Sequence, residues 1–367
     1  MTLLLIMLGI LLLGFLSGAS HKVPFDITLK GAFLAVKGML LFFIFKNLKF
    51  SETDIAKIMK LIYVLGLVSI FFAVVDILFK ESFRNLLHTN NKLDTRSNIL
   101  SVQSIFIHPG VYGWFTLFVG LYFLAQYLIK GEKKAFIYTG VFFVFSILSL
   151  RSKVLMAIGA ILLLVTIKRR IYIIGLTFLG IIVFLLFGDV IMDLVQLTTD
   201  RYISADATES ARKALYETGY LIGLNEFPLG EGFGRFGSWI ARVEYSPVYY
   251  EYGLNNVYGL KPDNPIWATD TYWPSIMGEI GIIGMILLIS FFAFALRYIY
   301  VKFRDLDFSK DIKVFLLFSL FVIVQSLIES TGEQIYNSAP QYIYIFAVIG
   351  IAFSLIENRN NVGSYNK

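Results

Sequence analysis

Apolar residues fall in long blocks separated by short charged segments, and these blocks set the first expectation. They lie near residues 3–19, 27–45, 58–79, 104–129, 135–150, 154–167, 171–187, 274–296, 314–329 and 340–356. A bilayer crossing takes about 20 apolar residues, so the pattern predicts an all-α polytopic integral membrane protein with about ten transmembrane helices. The first block, "TLLLIMLGILLLGFLSGAS", has no basic stretch ahead of it and is followed by further spans. Both points favour a retained helix over a cleaved signal peptide. The domain expectation is seven N-terminal helices over 1–187, one large loop over 188–273, and three C-terminal helices with a tail over 274–367.

Alternate connections, "KNLKFSETDIAKIMK", "KGEKK", "KRR" and "RYIYVKFRDLDFSKDIK", are basic. Positive loops stay on the cytoplasmic side, which places both termini there as well. The opposite side receives Lys80–Gln103, the tight "LRSK" turn, the segment Gly188–Trp273 and the turn "STGEQIYNSAP". The long segment is rich in proline, tryptophan and tyrosine, and loops of such length are more often functional than connective. Its stretch "SARKALYETGYLIGL" has helical spacing, with Ser210 as the expected N-cap.

Composition narrows the chemistry. The chain of 367 residues is 57% hydrophobic, with a mean hydropathy of +0.71, whereas soluble domains hold roughly 45–50% apolar residues. Having no cysteine excludes disulfides, thiolate metal sites and thiol nucleophiles, and the only histidines are His21, His88 and His108. Carboxylates and cations are left to do any catalysis, with no metal or cofactor expected. The net charge of +6 is in large part a topology signal and no pointer to nucleic acid.

The stretch "GFGRFG", residues 232–237, has the GxGxxG spacing of a dinucleotide-binding loop. That loop works only between a strand and a helix of a βαβ unit with an acidic residue about 20 positions on. Here an amphipathic helix precedes it and a Pro- and Tyr-rich stretch follows, so the nucleotide reading fails. A plain flexible turn is the bland alternative.

A more specific pattern surrounds it. "NEFPLGEGFGRFG" is followed by "DTYWPSIMGEIGIIGMILL", which carries Gly278, Glu279, Gly281 and Gly284. "LSLRSKVLMAIGAILL" and "RSNILSVQSIFIHPGVYGWFTLF" precede them. In this order, the four segments resemble the signature of bacterial polysaccharide repeat-unit polymerases of the Wzy type, in the O-antigen polymerase and ligase superfamily. The resemblance implies a GT-C-like glycosyltransferase in the bacterial inner membrane. It implies that the growing glycan moves from its undecaprenyl diphosphate to the terminal sugar of a new lipid-linked unit, with inversion and without a metal. Its expected partners are that lipid-linked oligosaccharide, membrane lipid, a chain-length regulator and a flippase.

Such a reaction needs cations for the leaving diphosphate, a base for the attacking hydroxyl and aromatic faces for sugar. Arg151 and Lys153 of the Ser-Arg element, Arg212 on the amphipathic helix, and Arg235 and Arg242 near the glycines are the diphosphate candidates. Arg96, Lys213 and His108 are weaker candidates. The ligase branch carries a histidine ahead of its Gly-Glu helix; this chain reads "WATDTYW" there, so Asp270 is the leading base, with Glu279 second. Trp239, Tyr249, Tyr250, Trp267 and Tyr272 are expected on a sugar-facing surface, with an interfacial aromatic belt as the alternative. The competing readings are an O-antigen ligase, which the missing histidine disfavours, and a flippase or transporter of lipid-linked sugars, for which no internal repeat is visible.

Overall fold

The structure, a computed structural model, describes residues 1–87, 93–96, 99–166, 210–305 and 308–364, with isolated positions between 192 and 199. The chain is almost wholly α-helical. Three helices, α1 (Thr2–Ser20), α2 (Phe25–Asn47) and α3 (Glu52–Leu86), precede a two-stranded antiparallel ribbon, β1 (Thr95–Arg96) and β2 (Ile99–Leu100). Helices α4 (Pro109–Lys130), α5 (Lys133–Ile147) and α6 (Ser152–Thr166) follow. After them come α7 (Ala211–Asn225), the short α8 (Trp239–Val243) and α9 (Val248–Glu251), then α10 (Trp273–Asp305), α11 (Lys310–Glu329) and α12 (Gln341–Ser364).

Seven helices among the described residues, α1 to α4 and α10 to α12, are long and apolar enough to cross a membrane. This is a membrane-embedded protein. Helices α5 and α6 fall where spans are expected but run for only 15 residues each. The expected span at 171–187 lies outside the described residues.

Local chemistry sets the helix ends. Ser51 and Asp54 form a reciprocal capping box at the start of α3. His108 caps α4, its Nδ1 accepting the Gly110 N–H at 3.0 Å, with Pro109 at the first helical position where no N–H is needed. Ser210 caps α7 as its sequence predicts.

Residues 1–48, 199–299 and 329–353 form one compact unit, and 49–198, 300–328 and 354–367 a second. In the first, the Phe42 ring meets those of Phe291 and Phe353 edge-on at 5.5 and 5.1 Å. In the second, Phe118 packs edge-on against Phe318 at 4.9 Å. The second unit also buries an ion pair: Arg84 donates to Asp76 through Nε at 2.8 Å and Nη2 at 3.1 Å, and both side chains are at most 1% exposed. Asp76 also accepts the backbone N–H groups of Gln103 and Ser104. A charge pair this deep holds only when its remaining lone pairs are met; here it fastens the segment after the ribbon to α3.

Candidate functional site

Helix α10 is broken at Gly281, whose φ of 76° and ψ of 179° lie outside the helical region. A break frees carbonyls, and here the Gly-rich segment takes them. The Glu231 N–H donates to Gly278 O at 2.8 Å and the Gly232 N–H to Glu279 O at 2.9 Å. Glu279 itself is 4% exposed, and its Oε1 accepts the N–H groups of Gly234 at 2.9 Å and Phe236 at 3.4 Å. The Gly230 N–H donates to Ser17 Oγ of α1, and the Gly237 N–H to the Tyr249 hydroxyl.

The amides of the glycine segment are thus taken up within the protein. The N–H groups of Gly234 and Phe236 converge on the protein's own Glu279 side chain, while those of Gly230, Glu231, Gly232 and Gly237 are met by Ser17, Gly278, the Glu279 carbonyl and Tyr249. The segment is wedged beside α1 and α2. A Cβ at Gly31 would stand 2.6 Å from the Gly234 nitrogen, and one at Gly14 would stand 2.0 Å from the Phe233 ring. Glu279, a candidate base, is therefore engaged in holding the segment.

The other carboxylate candidate lies elsewhere in the same unit. Asp270, in the stretch leading to α10, accepts from Arg212 Nη2 at 2.8 Å, with side-chain exposures of 30% and 23%. A residue chosen as base and one chosen for diphosphate thus stand together. Gln334 braces the surroundings: its Nε2 lies within 2.7 to 2.9 Å of Gly237 O, Thr271 O and Ser275 Oγ.

The aromatic candidates divide. Trp239 and Tyr250 are 55% and 54% exposed, and Arg242 lies over the Trp239 ring at 5.2 Å. Tyr249 and Tyr272 are core residues and offer no face to a sugar. Tyr249 is sealed among α7–α9 residues, and Tyr272 packs against Tyr336 at 4.9 Å. Burial pushes both phenols up from the ordinary tyrosine range. Trp267 is half-buried, its indole lying over Gly259 and meeting Tyr258 edge-on at 5.0 Å. Arg235 is half-buried within the glycine segment.

A further cluster at this unit's α1–α2 turn has no counterpart among the predicted site residues. The two nitrogens of His21 each stand 3.2 Å from a carboxylate oxygen, Nε2 from Glu226 and Nδ1 from Glu231. Burial raises the Glu231 pKa, against the opposing effect of His21.

The second unit gathers the remaining cations. Arg151, between α5 and α6, is ion-paired with Asp94 at the ribbon. His108 stands among Arg151, Lys153, Arg96 and Asp94. Burial first, and then the positive charges of Arg151 and Lys153, push the His108 pKa down to about 3. His108 is therefore neutral and serves α4 as its cap.

No known protein-family model and no curated protein sequence matches the chain. Among the described residues no three His, Asp or Glu side chains gather as a metal set.

One candidate feature went unnoticed in the sequence. Lys37 lies midway along α2, where its Nζ donates to Asn337 O at 2.7 Å and sits 4.5 Å above the Tyr342 ring. Its signal was a charge at the middle of an apolar block whose only other charge is Lys30, near one end; ionisable residues within such spans mark functional sites by default.

Proposed function

We propose that this protein is a glycosyltransferase of the bacterial inner membrane that polymerises undecaprenyl-diphosphate-linked oligosaccharide units, with both termini cytoplasmic. The observation that carries the reading is the Arg212–Asp270 pair. It joins the basic position of the helix before the Gly-rich segment to the acid ahead of the Gly-Glu helix, two parts of the motif order that are far apart in sequence. A guanidinium fork matches paired phosphate oxygens, and the carboxylate beside it is a proton acceptor.

In the proposed reaction the terminal hydroxyl of the acceptor attacks the anomeric carbon of the donor glycan. The bond from that carbon to the lipid diphosphate breaks, and its electron pair leaves with the diphosphate, whose charge Arg212 takes up. The hydroxyl proton passes to Asp270. Diphosphate binding at Arg212 competes with the Arg212–Asp270 bond, so arrival of the donor releases the base. Arg151 and Lys153 are further cation candidates, and Trp239 and Tyr250 are the aromatic faces accessible to sugar.

The test is incubation of the purified full chain with a synthetic undecaprenyl-diphosphate repeat unit. Dimers and a ladder are expected without nucleotide sugar or added metal. Arg212→Ala and Asp270→Asn should abolish the ladder while leaving the melting temperature close to that of the parent chain. Turnover that required a nucleotide sugar would sink the assignment. Transport of the lipid without ladder formation would instead favour a flippase, the reading that the broken helix at Gly281 brings to mind. Against that rival, the carbonyls freed by the break are already taken by Glu231 and Gly232.

A further inference from the structure

Beside the Arg212–Asp270 pair in sequence, Thr269 lines a cavity of about 250 Å³. Its other polar walls are Lys37, Trp239, Gln334, Asn337 and Ser338. Drug-sized ligands occupy pockets of roughly 300 to 1,000 Å³, so this one has room for a single ring and not for an oligosaccharide. The wall offers one accessible indole and the hydroxyls of Thr269 and Ser338, beside the amides of Gln334 and Asn337, which bond to each other and brace the surroundings. Leu34 and the carbon stems of these side chains form the apolar part of the wall.

Lys37 sets the class of sugar. An ammonium has three donors; one goes to Asn337 O, the Tyr342 ring lies under the charge, and the residue still borders the cavity. No carboxylate among the described residues lies within ion-pair distance of it. A cation placed along a membrane helix without an acidic partner is costly unless an anion reaches it. The occupant therefore has an anionic group as well as a ring. A diphosphate fits poorly, because no guanidinium borders the cavity and one ammonium acts only as a point charge.

We propose that this cavity binds one sugar residue bearing a carboxylate, with its ring against Trp239 and its carboxylate at Lys37. The proposal rests on the glycosyltransferase reading for its place in the reaction, where it makes the repeat unit an acidic one. Binding at the cavity is measurable without turnover. Loss of the polymerase reading and loss of this one are therefore separable.

The test is binding of methyl glycosides to the full chain in detergent by calorimetry, pairing each of the methyl glycosides of glucuronic, galacturonic and mannuronic acid with its neutral counterpart. Inorganic pyrophosphate is the competitor. A charge-assisted hydrogen bond adds enough for roughly a tenfold preference, so at least one acidic glycoside should outbind its neutral partner by that factor. Lys37→Gln should remove the preference, Lys37→Arg should keep it, and Trp239→Ala should weaken both members of the pair. Should Lys37→Gln fail to fold, the arginine variant and Trp239→Ala decide the matter, since a preference lost in the first or affinities unchanged in the second would overturn the proposal. Equal affinity across every pair would overturn it too. So would a preference that survives in Lys37→Gln, or displacement of the acidic glycoside by pyrophosphate in a Lys37-dependent manner.

Discussion

Glu279 shows how much a single residue's role depends on its partners. Its position in the Gly-Glu pattern marks it for chemistry, yet its carboxylate is spent on the N–H groups of Gly234 and Phe236. Each buried donor left without an acceptor costs about 1 to 3 kcal/mol. Glu279→Ala is accordingly expected to lower unfolding stability by roughly 2 to 6 kcal/mol, with Glu279→Gln recovering part of it because one oxygen remains to accept. Denaturant unfolding in detergent measures both. His108 carries a pH signature. Its pKa falls from the ordinary 6.5 to about 3 in the fold, so the unfolded chain binds a proton that the folded chain refuses. The stability this represents is complete above pH 6.5, and it is lost as the pH drops from there toward 3. Replacement by Gln, whose side-chain oxygen still accepts the Gly110 N–H, should flatten the acid-side decline in melting temperature between pH 6.5 and 4. A decline of unchanged slope would show that His108 takes no part in it. Neither role was legible beforehand, because a carboxylate's partners and an imidazole's burial come from distant segments.

At the scale of elements, apolar runs long enough to span a bilayer foretold the helices, and the cap at Ser210 follows from local sequence alone. The Gly-rich segment was legible only as far as its glycines. That they mark close packing against α1 and α2, and not an open turn, depends on Gly14 and Gly31, small residues in helices whose sequence gives no hint of a visitor. The break at Gly281 was hidden in the same way inside an apolar block. Gly31→Ala tests the packing: its methyl group would meet the Gly234 backbone at 2.6 Å, and backbone cannot swing aside as a flexible side chain does. A melting temperature several degrees below the parent's is expected, whereas Ala at Gly159, where a Cβ meets nothing within 4 Å, should leave it unchanged or raise it slightly. Equal melting temperatures for the two variants would mean that the segment does not press against α2.

At the scale of the whole molecule, the alternation of basic and non-basic connections predicts sidedness, and the absence of cysteine in the chain makes that prediction easy to check. Single cysteines need no background removed. An impermeant maleimide applied to intact cells should label Tyr250→Cys, at an exposed position of the long loop, and spare Asn47→Cys, at the exposed end of α2, until the membrane is opened. The reverse pattern would invert the topology and put the proposed site on the wrong face for a lipid-linked glycan. The long loop stands out in the sequence by its length and aromatic content. Which aromatics face outward was not, since Tyr249 and Tyr250 are neighbours in a four-residue helix and only the fold decides that one is sealed in and the other bare.

The wedge between Gly230–Gly237 and the first two helices also has a consequence in time. Ser17 and Gly230, hydrogen-bonded in the finished protein, are separated by 213 residues. At the ribosome's pace of about 5 to 20 residues per second, the N-terminal pair of helices waits on the order of 10 to 40 seconds for the segment that fills its notch. For that interval the notch lacks the segment that fills it, and the Ser17 hydroxyl keeps the bond it also makes in the finished fold, to the Leu13 carbonyl of its own helix. The first hairpin of this protein is thus inserted as an unfinished surface, and arrival of the glycine segment is the step that completes it.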